Sequence, residues 1–108
     1  MSRGDIVVVA TQGAYTSKPR PVLVVQANRF NEVHASITVC PISSEPVDAP
    51  LFRLTLPPGS RTGLERASQV MVDKVVSVPR GAVGRTIGRC DSDELDAVDN
   101  ALRGWLGL

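Results

Sequence analysis

Residues 18–26, KPRPVLVVQ, decide the fold, because a run of apolar, mostly β-branched residues follows directly on two prolines. Such a run is typical of a strand that is buried in a sheet. Proline fixes φ at about −65° and cannot donate a hydrogen bond to a sheet, so we expect residues 18–21 to be stiff and to lie outside the sheet. Arg20 is therefore predicted to stand as a rigidly held cation at the mouth of the strand.

A second apolar stretch, residues 37–40, begins fifteen residues after the first and also runs into a proline, Pro41. Ser43 and Ser44 follow that proline and bring two hydroxyl groups to the end of the predicted strand. A guanidinium and hydroxyl groups at adjacent strand ends are suited to gripping a phosphate, because both donate hydrogen bonds to anionic oxygens. The two stretches together therefore predict an anion-binding site.

Short apolar segments separated by glycine and proline continue through the first two thirds of the chain and predict a compact, strongly curved sheet. The predicted strands are residues 5–10, 22–27, 36–41, 51–56, 69–72 and 75–78, and one helical turn is predicted at residues 79–83. The polar segments 11–18 and 43–50 are predicted to be loops. Because binding residues are often carried by loops, we expect both to border a groove beside Arg20 and Ser43.

A C-terminal helix is predicted from residue 91 onward. The carboxylate of Asp91 can cap free amide groups at its start, while Glu94 can reach back to complete a capping box. Apolar residues then recur at helical spacing and predict one face that packs on the sheet: Leu95, Val98, Leu102, Trp105 and Leu106. The expected fold is therefore mainly β with a C-terminal helix, an α+β domain that spans residues 1–108.

The composition argues against several classes of protein. No stretch approaches the roughly 20 apolar residues of a membrane span, and the first residues lack the apolar run of a signal peptide, so a cytoplasmic location without membrane contact is expected. The two cysteines, Cys40 and Cys90, are not in metal-ligand spacing, and His34 is the one histidine. Neither a metal nor another cofactor is therefore expected.

Charge is distributed unevenly along the chain. Residues 1–90 carry a net charge of +5 and residues 91–108 a net charge of −4, and ten of the twelve cations are arginine. Because arginine binds phosphate through two parallel hydrogen bonds, the basic part is suited to a nucleic acid. The candidate backbone contacts are Lys18, Arg29, Arg53, Lys74 and Arg80. Surface cations are more often merely solvated, and only Lys18 is tied to Arg20 by sequence.

Several segments, taken in their order along the chain, resemble one family. They are residues 3–7, RGDIV; 20–26, RPVLVVQ; 41–44, PISS; 63–64, GL; and the closing segment 92–108. They resemble the MazF/PemK group of toxins from toxin–antitoxin systems, which are sequence-selective endoribonucleases built as SH3-like small β-barrels. The resemblance implies a homodimer whose groove binds single-stranded RNA and cuts it without a metal, leaving a 2′,3′-cyclic phosphate and a 5′-hydroxyl. It also implies a cognate antitoxin whose flexible tail fills the groove.

The resemblance also assigns roles to individual residues. Arg20 matches the arginine that the family uses at the scissile phosphate, and Ser43 matches its catalytic threonine or serine. The candidate RNA-binding residues are Lys18, Arg29, Ser44, Lys74 and Arg80. Residues 74–76, KVV, stand where the family usually has Gln-Ile-Arg, so a family arginine is missing and the base preference is open.

Two other functions remain open at the level of the sequence. CcdB-type toxins share this fold class but inhibit DNA gyrase through a tryptophan near the C-terminus, and Trp105 occupies a comparable place, although its spacing fits core packing at least as well. A non-catalytic SH3-like interaction module would need no hydroxyl beside Arg20. Histidine is suited to proton transfer near neutral pH, but His34 falls in a predicted hairpin loop and is expected to be merely exposed. The general base is therefore not assigned.

Overall fold

The computed structural model of the 108-residue chain describes residues 1–10 and 18–108. In chain order these contain the strands β1 (Asp5–Ala10), β2 (Pro19–Val24), β3 (Ser36–Ser43), β4 (Arg53–Leu56), β5 (Ser68–Met71), β6 (Val76–Pro79) and β7 (Val83–Arg89). A short helix, α1 (Asn28–Asn31), precedes β3, and the C-terminal helix α2 (Ser92–Leu106) follows β7. Single 3-10 turns at Val72–Lys74 and Arg80–Ala82 stand on either side of β6. The loop predicted for residues 11–18 lies, apart from Lys18, outside the described residues.

β3 is the central strand of an antiparallel sheet in which neighbours follow the order β4-β5-β3-β2-β1-β7, and β6 also pairs with β3. The first four residues of β3 pair with β6, residues 39–41 pair with β2, and Ile42 and Ser43 pair with β5. On the edge away from β2, β3 thus changes its partner from β6 to β5 near its end. Among the described residues no ladder joins β4 to β7, so the sheet is open. The predicted class, mainly β with a C-terminal helix, is confirmed, but the word barrel is too strict for this sheet.

Both faces of the sheet are covered, which explains why consecutive residues of β1 and β2 are apolar. Neighbouring residues of a strand point to opposite faces. On one face Ile6 and Leu23 are fully buried in a cluster that includes Val98 of α2. On the other face Val7 and Val24 are fully buried in a second cluster, which is packed against Val78, Ala82 and Val83. Two small cores, one on each face, therefore hold the sheet in place.

Helix α2 begins with the predicted capping box. The side chain of Asp91 accepts a hydrogen bond from the amide of Glu94 at 2.8 Å, and the amide of Asp91 donates to the Glu94 carboxylate at 2.9 Å. The apolar face is buried at Val98, but Trp105 and Leu106 are 49% and 54% exposed, so the prediction that this whole face packs on the sheet is wrong at its end. No helix in the described part of the chain is both long and apolar enough to cross a bilayer.

Lys18 lies outside the sheet as expected, but β2 begins at Pro19, so the expectation is wrong for residues 19–21. These residues pair with β1. The carbonyl of Val24 accepts a hydrogen bond from Gly4 on the β1 side, and alternation along the strand therefore turns the nitrogens of Pro19 and Pro21 away from β1. β3 pairs only with the last three residues of β2, so neither proline removes a hydrogen bond from a ladder.

The sequence does not predict β7 or α1. β7 contains two glycines, which ordinarily weaken a strand, and Gly88 is required by a close approach of two backbones. A Cβ at Gly88 would lie 2.2 Å from the carbonyl carbon and oxygen of Thr62. In α1, the buried amide of Asn31 donates to the carbonyl of Gln26 at 3.0 Å, which fixes a helical turn where the sequence shows a plain hairpin loop.

Candidate active site

The pairing of β2 with β3 places Arg20 and Ser43 on one face of the sheet at neighbouring positions. The pair of this ladder nearest to them is Val22 with Pro41. Arg20 precedes Val22 by two residues and Ser43 follows Pro41 by two residues, and residues two apart on a strand point to the same face. The β2–β3 ladder ends at Val22 and Pro41, so the two strands separate beyond this pair, and on the other edge of β3 Ser43 pairs with Gln69 of β5. A cleft opens where β2 and β3 separate, and Arg20 and Ser43 both line it.

The cleft has a volume of about 1170 Å³ and combines charged, hydroxyl and apolar groups. Its polar lining residues are Lys18, Arg20, Ser43, Ser44, Glu45, Glu65, Arg66 and Ser68. Apolar residues line the rest, among them Val8, Leu64, Val76 and Val78. Cations and hydroxyls suit phosphate groups, and apolar side chains suit the flat faces of bases. The lining therefore fits a nucleotide chain better than it fits a purely apolar ligand.

Arg20 is exposed at the cleft, and no carboxylate in the described part of the chain pairs with it. Its guanidinium makes no hydrogen bond or ion pair with any residue that the structure describes. In contrast, the guanidinium groups of Arg3, Arg53 and Arg61 all pair with carboxylates. Arg20 therefore keeps its donors and its full charge for a ligand.

Ser43 is half-buried, and its hydroxyl oxygen accepts a hydrogen bond from the amide of Glu45 at 3.1 Å. A serine hydroxyl has one donor hydrogen and two lone pairs, so the hydrogen remains available to a ligand. The loop that follows Ser43 is held from β5, because the Gln69 side chain accepts from the amide of Val47 at 3.0 Å and donates to its carbonyl at 2.9 Å. The hydroxyl thus stands on a fixed backbone.

Two of the five predicted RNA-binding residues, Lys18 and Ser44, line the cleft, and the other three do not. The guanidinium of Arg29 lies 4.9 Å from the ring centre of the next residue on α1. Lys74 is exposed in the 3-10 turn after β5. Arg80 donates to two backbone carbonyls, one in α1 and one in the turn after it. Arg29, Lys74 and Arg80 therefore lie outside the lining of this cleft.

Sequence reasoning missed three charged residues that line the cleft, Glu45, Glu65 and Arg66. Glu65 and Arg66 lie more than twenty positions beyond Ser43 in the chain, and the antiparallel pairing of β3 with β5 brings them beside it. The one signal in the sequence is that they follow directly on residues 63–64, which carry part of the family resemblance.

The remaining reactive side chains lie outside the cleft. Burial raises the pKa of the Cys40 thiol and that of the Cys90 thiol to about 12, so both remain protonated in the core. His34 is exposed in the turn before β3, where its Nδ1 accepts a hydrogen bond from the amide of Ser36 at 3.1 Å. Across residues 1–10 and 18–108, no three His, Cys, Asp or Glu side chains are grouped as ligands for a metal ion.

Trp105 packs against one aromatic ring, although 49% of its surface is exposed. Its ring centre lies 5.3 Å from that of Phe52, and the two ring planes are inclined by 54°. Tilted aromatic pairs at this distance stabilise a fold beyond the apolar area that they bury. The position of Trp105 therefore gives no separate support to a role in binding gyrase.

Known proteins that resemble this chain belong to one family. Residues 2–106 match the family of the PemK-like, MazF-like toxin of type II toxin-antitoxin system. The chain is 44% identical over its full length to 98% of the probable endoribonuclease MazF of Mycolicibacterium smegmatis. Its fold matches MazF in the MazE-MazF structure (form I) from Deinococcus radiodurans with a TM-score of 0.82 and 25% identity, covering 100% of this chain and 97% of that one. A mycobacterial endoribonuclease in complex with its cognate antitoxin gives a TM-score of 0.83 at 19% identity, covering 100% and 96%, and shows likeness of fold alone. The chain therefore belongs to the PemK-like, MazF-like toxin family of type II toxin–antitoxin systems.

Proposed function

We propose that this toxin is a metal-independent endoribonuclease that cuts single-stranded RNA in the cleft of Arg20 and Ser43. The observation that carries the proposal is the unpaired guanidinium of Arg20 beside the available hydroxyl of Ser43, at the point where β2 and β3 separate. The 44% identity to a probable endoribonuclease supports the same activity. Residues 1–108 act in this proposal as one toxin domain.

RNA supplies its own nucleophile, which sets what the protein has to provide. The 2′-oxygen attacks the adjacent phosphorus while the bond from phosphorus to the 5′-oxygen breaks, giving a 2′,3′-cyclic phosphate and a 5′-hydroxyl. Negative charge develops on the phosphoryl oxygens during this step. Arg20 neutralises that charge and Ser43 donates a hydrogen bond to it, and each preorganised donor of this kind typically contributes about 2.7–4 kcal/mol in the transition state.

Two protons also have to move, one from the 2′-hydroxyl and one to the departing 5′-oxygen. A guanidinium stays protonated near neutral pH, so Arg20 is assigned to charge stabilisation and not to accepting a proton. The carboxylates of Glu45 and Glu65 line the same cleft and are the groups in its described part that are suited to accept a proton. We assign the base to this pair of residues without choosing between them.

The partners follow from the same surface. We propose that a cognate antitoxin with a disordered acidic tail covers Arg20 and competes with RNA, so that its inhibition weakens as salt rises. We further propose a homodimer, since Trp105, Leu106 and Leu108 leave apolar surface exposed at the end of the chain. The cytoplasm is the proposed location, because the proposed substrate is cellular RNA. An acidic cognate peptide whose affinity does not depend on ionic strength would contradict the antitoxin proposal.

The test is cleavage of a long single-stranded RNA in EDTA by the wild-type protein and by matched variants, with the end groups identified. Arg20→Ala and Ser43→Ala are each expected to lower kcat about 10²- to 10³-fold, whereas Ser43→Thr keeps the hydroxyl and most of the activity. Arg103→Ala, on the exposed side of α2, serves as the control for loss of a cation. Absence of cleavage by the wild-type protein on several RNAs, or full cleavage by Arg20→Ala, would overturn the proposal.

A further inference from the structure

Residues 65–67, the approach to β5, flank the end of β3 on the side opposite to β2. β2 and β5 both run antiparallel to β3, with Val22 opposite Pro41 on one side and Gln69 opposite Ser43 on the other. Neighbouring strands are spaced by about 4.7–4.9 Å. The residues just before β5 therefore lie alongside the chain that leaves Ser43, while Arg20 lies on its other side.

Arg66 stands in this approach to β5, exposed and lining the cleft. Its guanidinium makes no hydrogen bond or ion pair with any residue in the described part of the chain. The backbone beneath it is fixed, because the hydroxyl of the buried Ser68 donates to the carbonyl of Arg66 at 2.9 Å. Among the described residues, Arg20 and Arg66 are the two arginines that line the cleft, and both are unpaired.

We propose that Arg66 forms a second phosphate-binding subsite, which holds a phosphate of the RNA strand beside the one at Arg20. This inference rests on the proposed RNA cleavage and adds a residue and a direction to it: the strand crosses the end of β3 from β2 towards β5. A guanidinium is suited to the task because its fork matches two phosphate oxygens. The contact is the same before and during the reaction, so it contributes to binding and not to the chemical step.

The adjacent residue, Glu65, offers a control of opposite sign in the same loop. Both side chains are exposed and both line the cleft, so replacing either one disturbs the same stretch of backbone. The carboxylate of Glu65 repels a nearby phosphate, whereas Arg66 attracts it. A loss of binding that came only from damage to the loop would appear in both variants, whereas loss of a phosphate contact appears in Arg66→Ala alone.

The experiment measures binding of a 2′-O-methyl RNA, which cannot be cut, over a series of salt concentrations. Each phosphate contact to a single strand contributes about 0.7 to the slope of log affinity against log salt. Arg66→Ala is expected to lower the slope by about 0.7 and the affinity by about tenfold on every sequence, because one charged hydrogen-bonded contact is lost. Arg66→Lys should keep the slope, Glu65→Gln should bind more tightly than wild type, and Arg103→Ala should not differ from it.

Cleavage of unmodified RNA separates this proposal from the proposed function. Arg66→Ala should raise KM and leave kcat close to wild type, whereas Arg20→Ala should lower kcat. If the wild-type protein binds and cuts RNA but Arg66→Ala has the wild-type slope and KM, the subsite is wrong and the nuclease stands. A fall in slope that Glu65→Gln reproduces would also overturn the subsite. If the wild-type protein neither binds nor cuts RNA, both proposals fail together.

Discussion

Gln69 connects the stability of the loop after Ser43 with the chemistry of the cleft. Its side chain is 8% exposed and holds both the amide and the carbonyl of Val47, at 3.0 and 2.9 Å. The backbone of Gln69 lies opposite Ser43 in the ladder between β3 and β5. We predict that Gln69→Leu, which keeps the size of the side chain and removes both hydrogen bonds, loosens this loop and lowers RNA cleavage.

The size of the effect follows from the two hydrogen bonds of Gln69. Each typically contributes about 0.5–1.5 kcal/mol net, so the free energy of unfolding should fall by about 1–3 kcal/mol. Val47 is 48% exposed and water can replace its lost partners, which favours the lower half of that range. For a domain of this size the melting temperature should drop by about 4 °C per kcal/mol. Displacement of the Ser43 hydroxyl by about 1 Å lowers kcat/KM by about 10²-fold.

Gln26 supplies the matched control. It holds the backbone in the same manner, since its amide nitrogen donates to the carbonyl of Ser36 at 3.1 Å and its amide oxygen accepts from Thr38 at 3.0 Å, but it does not line the cleft. Urea unfolding and kcat/KM are measured for Gln69→Leu and Gln26→Leu. Comparable losses of stability are expected, with loss of cleavage in Gln69→Leu alone. Wild-type kcat/KM in Gln69→Leu, or an equal loss of activity in Gln26→Leu, would refute the reasoning.

Three further predictions concern the fold. Gly88→Ala should lower the free energy of unfolding by about 3 kcal/mol or more, because its Cβ would lie 2.2 Å from a carbonyl. Gly104→Ala should raise it by about 0.5–1 kcal/mol, because a Cβ there has no atom within 4 Å. Urea unfolding in which both variants change alike would contradict this. The side-chain hydrogen bond from Arg53 lowers the pKa of Asp73, so the stability from this pair is present above the ordinary carboxyl pKa and is lost as pH falls through the lowered one. The free energy of unfolding of the wild type should therefore exceed that of Asp73→Asn by less at pH 3 than at pH 6, because these pH values lie on either side of the ordinary carboxyl pKa of about 3.9. An unchanged difference would count against the pair. Burial raises the pKa of both cysteines to about 12, so iodoacetamide at about pH 8, below an ordinary thiol pKa, should label unfolded protein far faster than native protein, and equal rates would disprove their protection.

Features that depend on neighbouring residues could be predicted from the sequence. β1 has the predicted bounds, 5–10, and α2 starts at the predicted cap, because an apolar run and a capping box act within a few residues. The start of β2 could not be predicted in this way. Whether Pro19 and Pro21 can stand in a strand depends on which side of β2 has a partner, and this is decided by where the β2–β3 ladder ends.

The same reasoning explains why the cations could not be sorted by sequence. A count of charges does not distinguish Arg53, which pairs with Asp73 twenty residues later, from Arg66, which has no partner among the described residues. Arg80 donates to backbone carbonyls more than forty residues before it, and no local sequence pattern predicts such a contact.

At the candidate site the sequence shows which functional groups stand at two strand ends, and the register of the sheet determines where these groups lie relative to each other. Arg20 and Ser43 lie at the beginning and the end of neighbouring antiparallel strands, and antiparallel pairing brings such ends together. The end of the β2–β3 ladder at Val22 and Pro41 is equally necessary, since a ladder continued to Arg20 and Ser43 would leave no space for a strand of RNA between them. On the other edge of β3, the pairing with β5 brings Arg66 to the same cleft. A variant that extended the β2–β3 ladder by two residues should therefore close the cleft even with every side chain of the site retained.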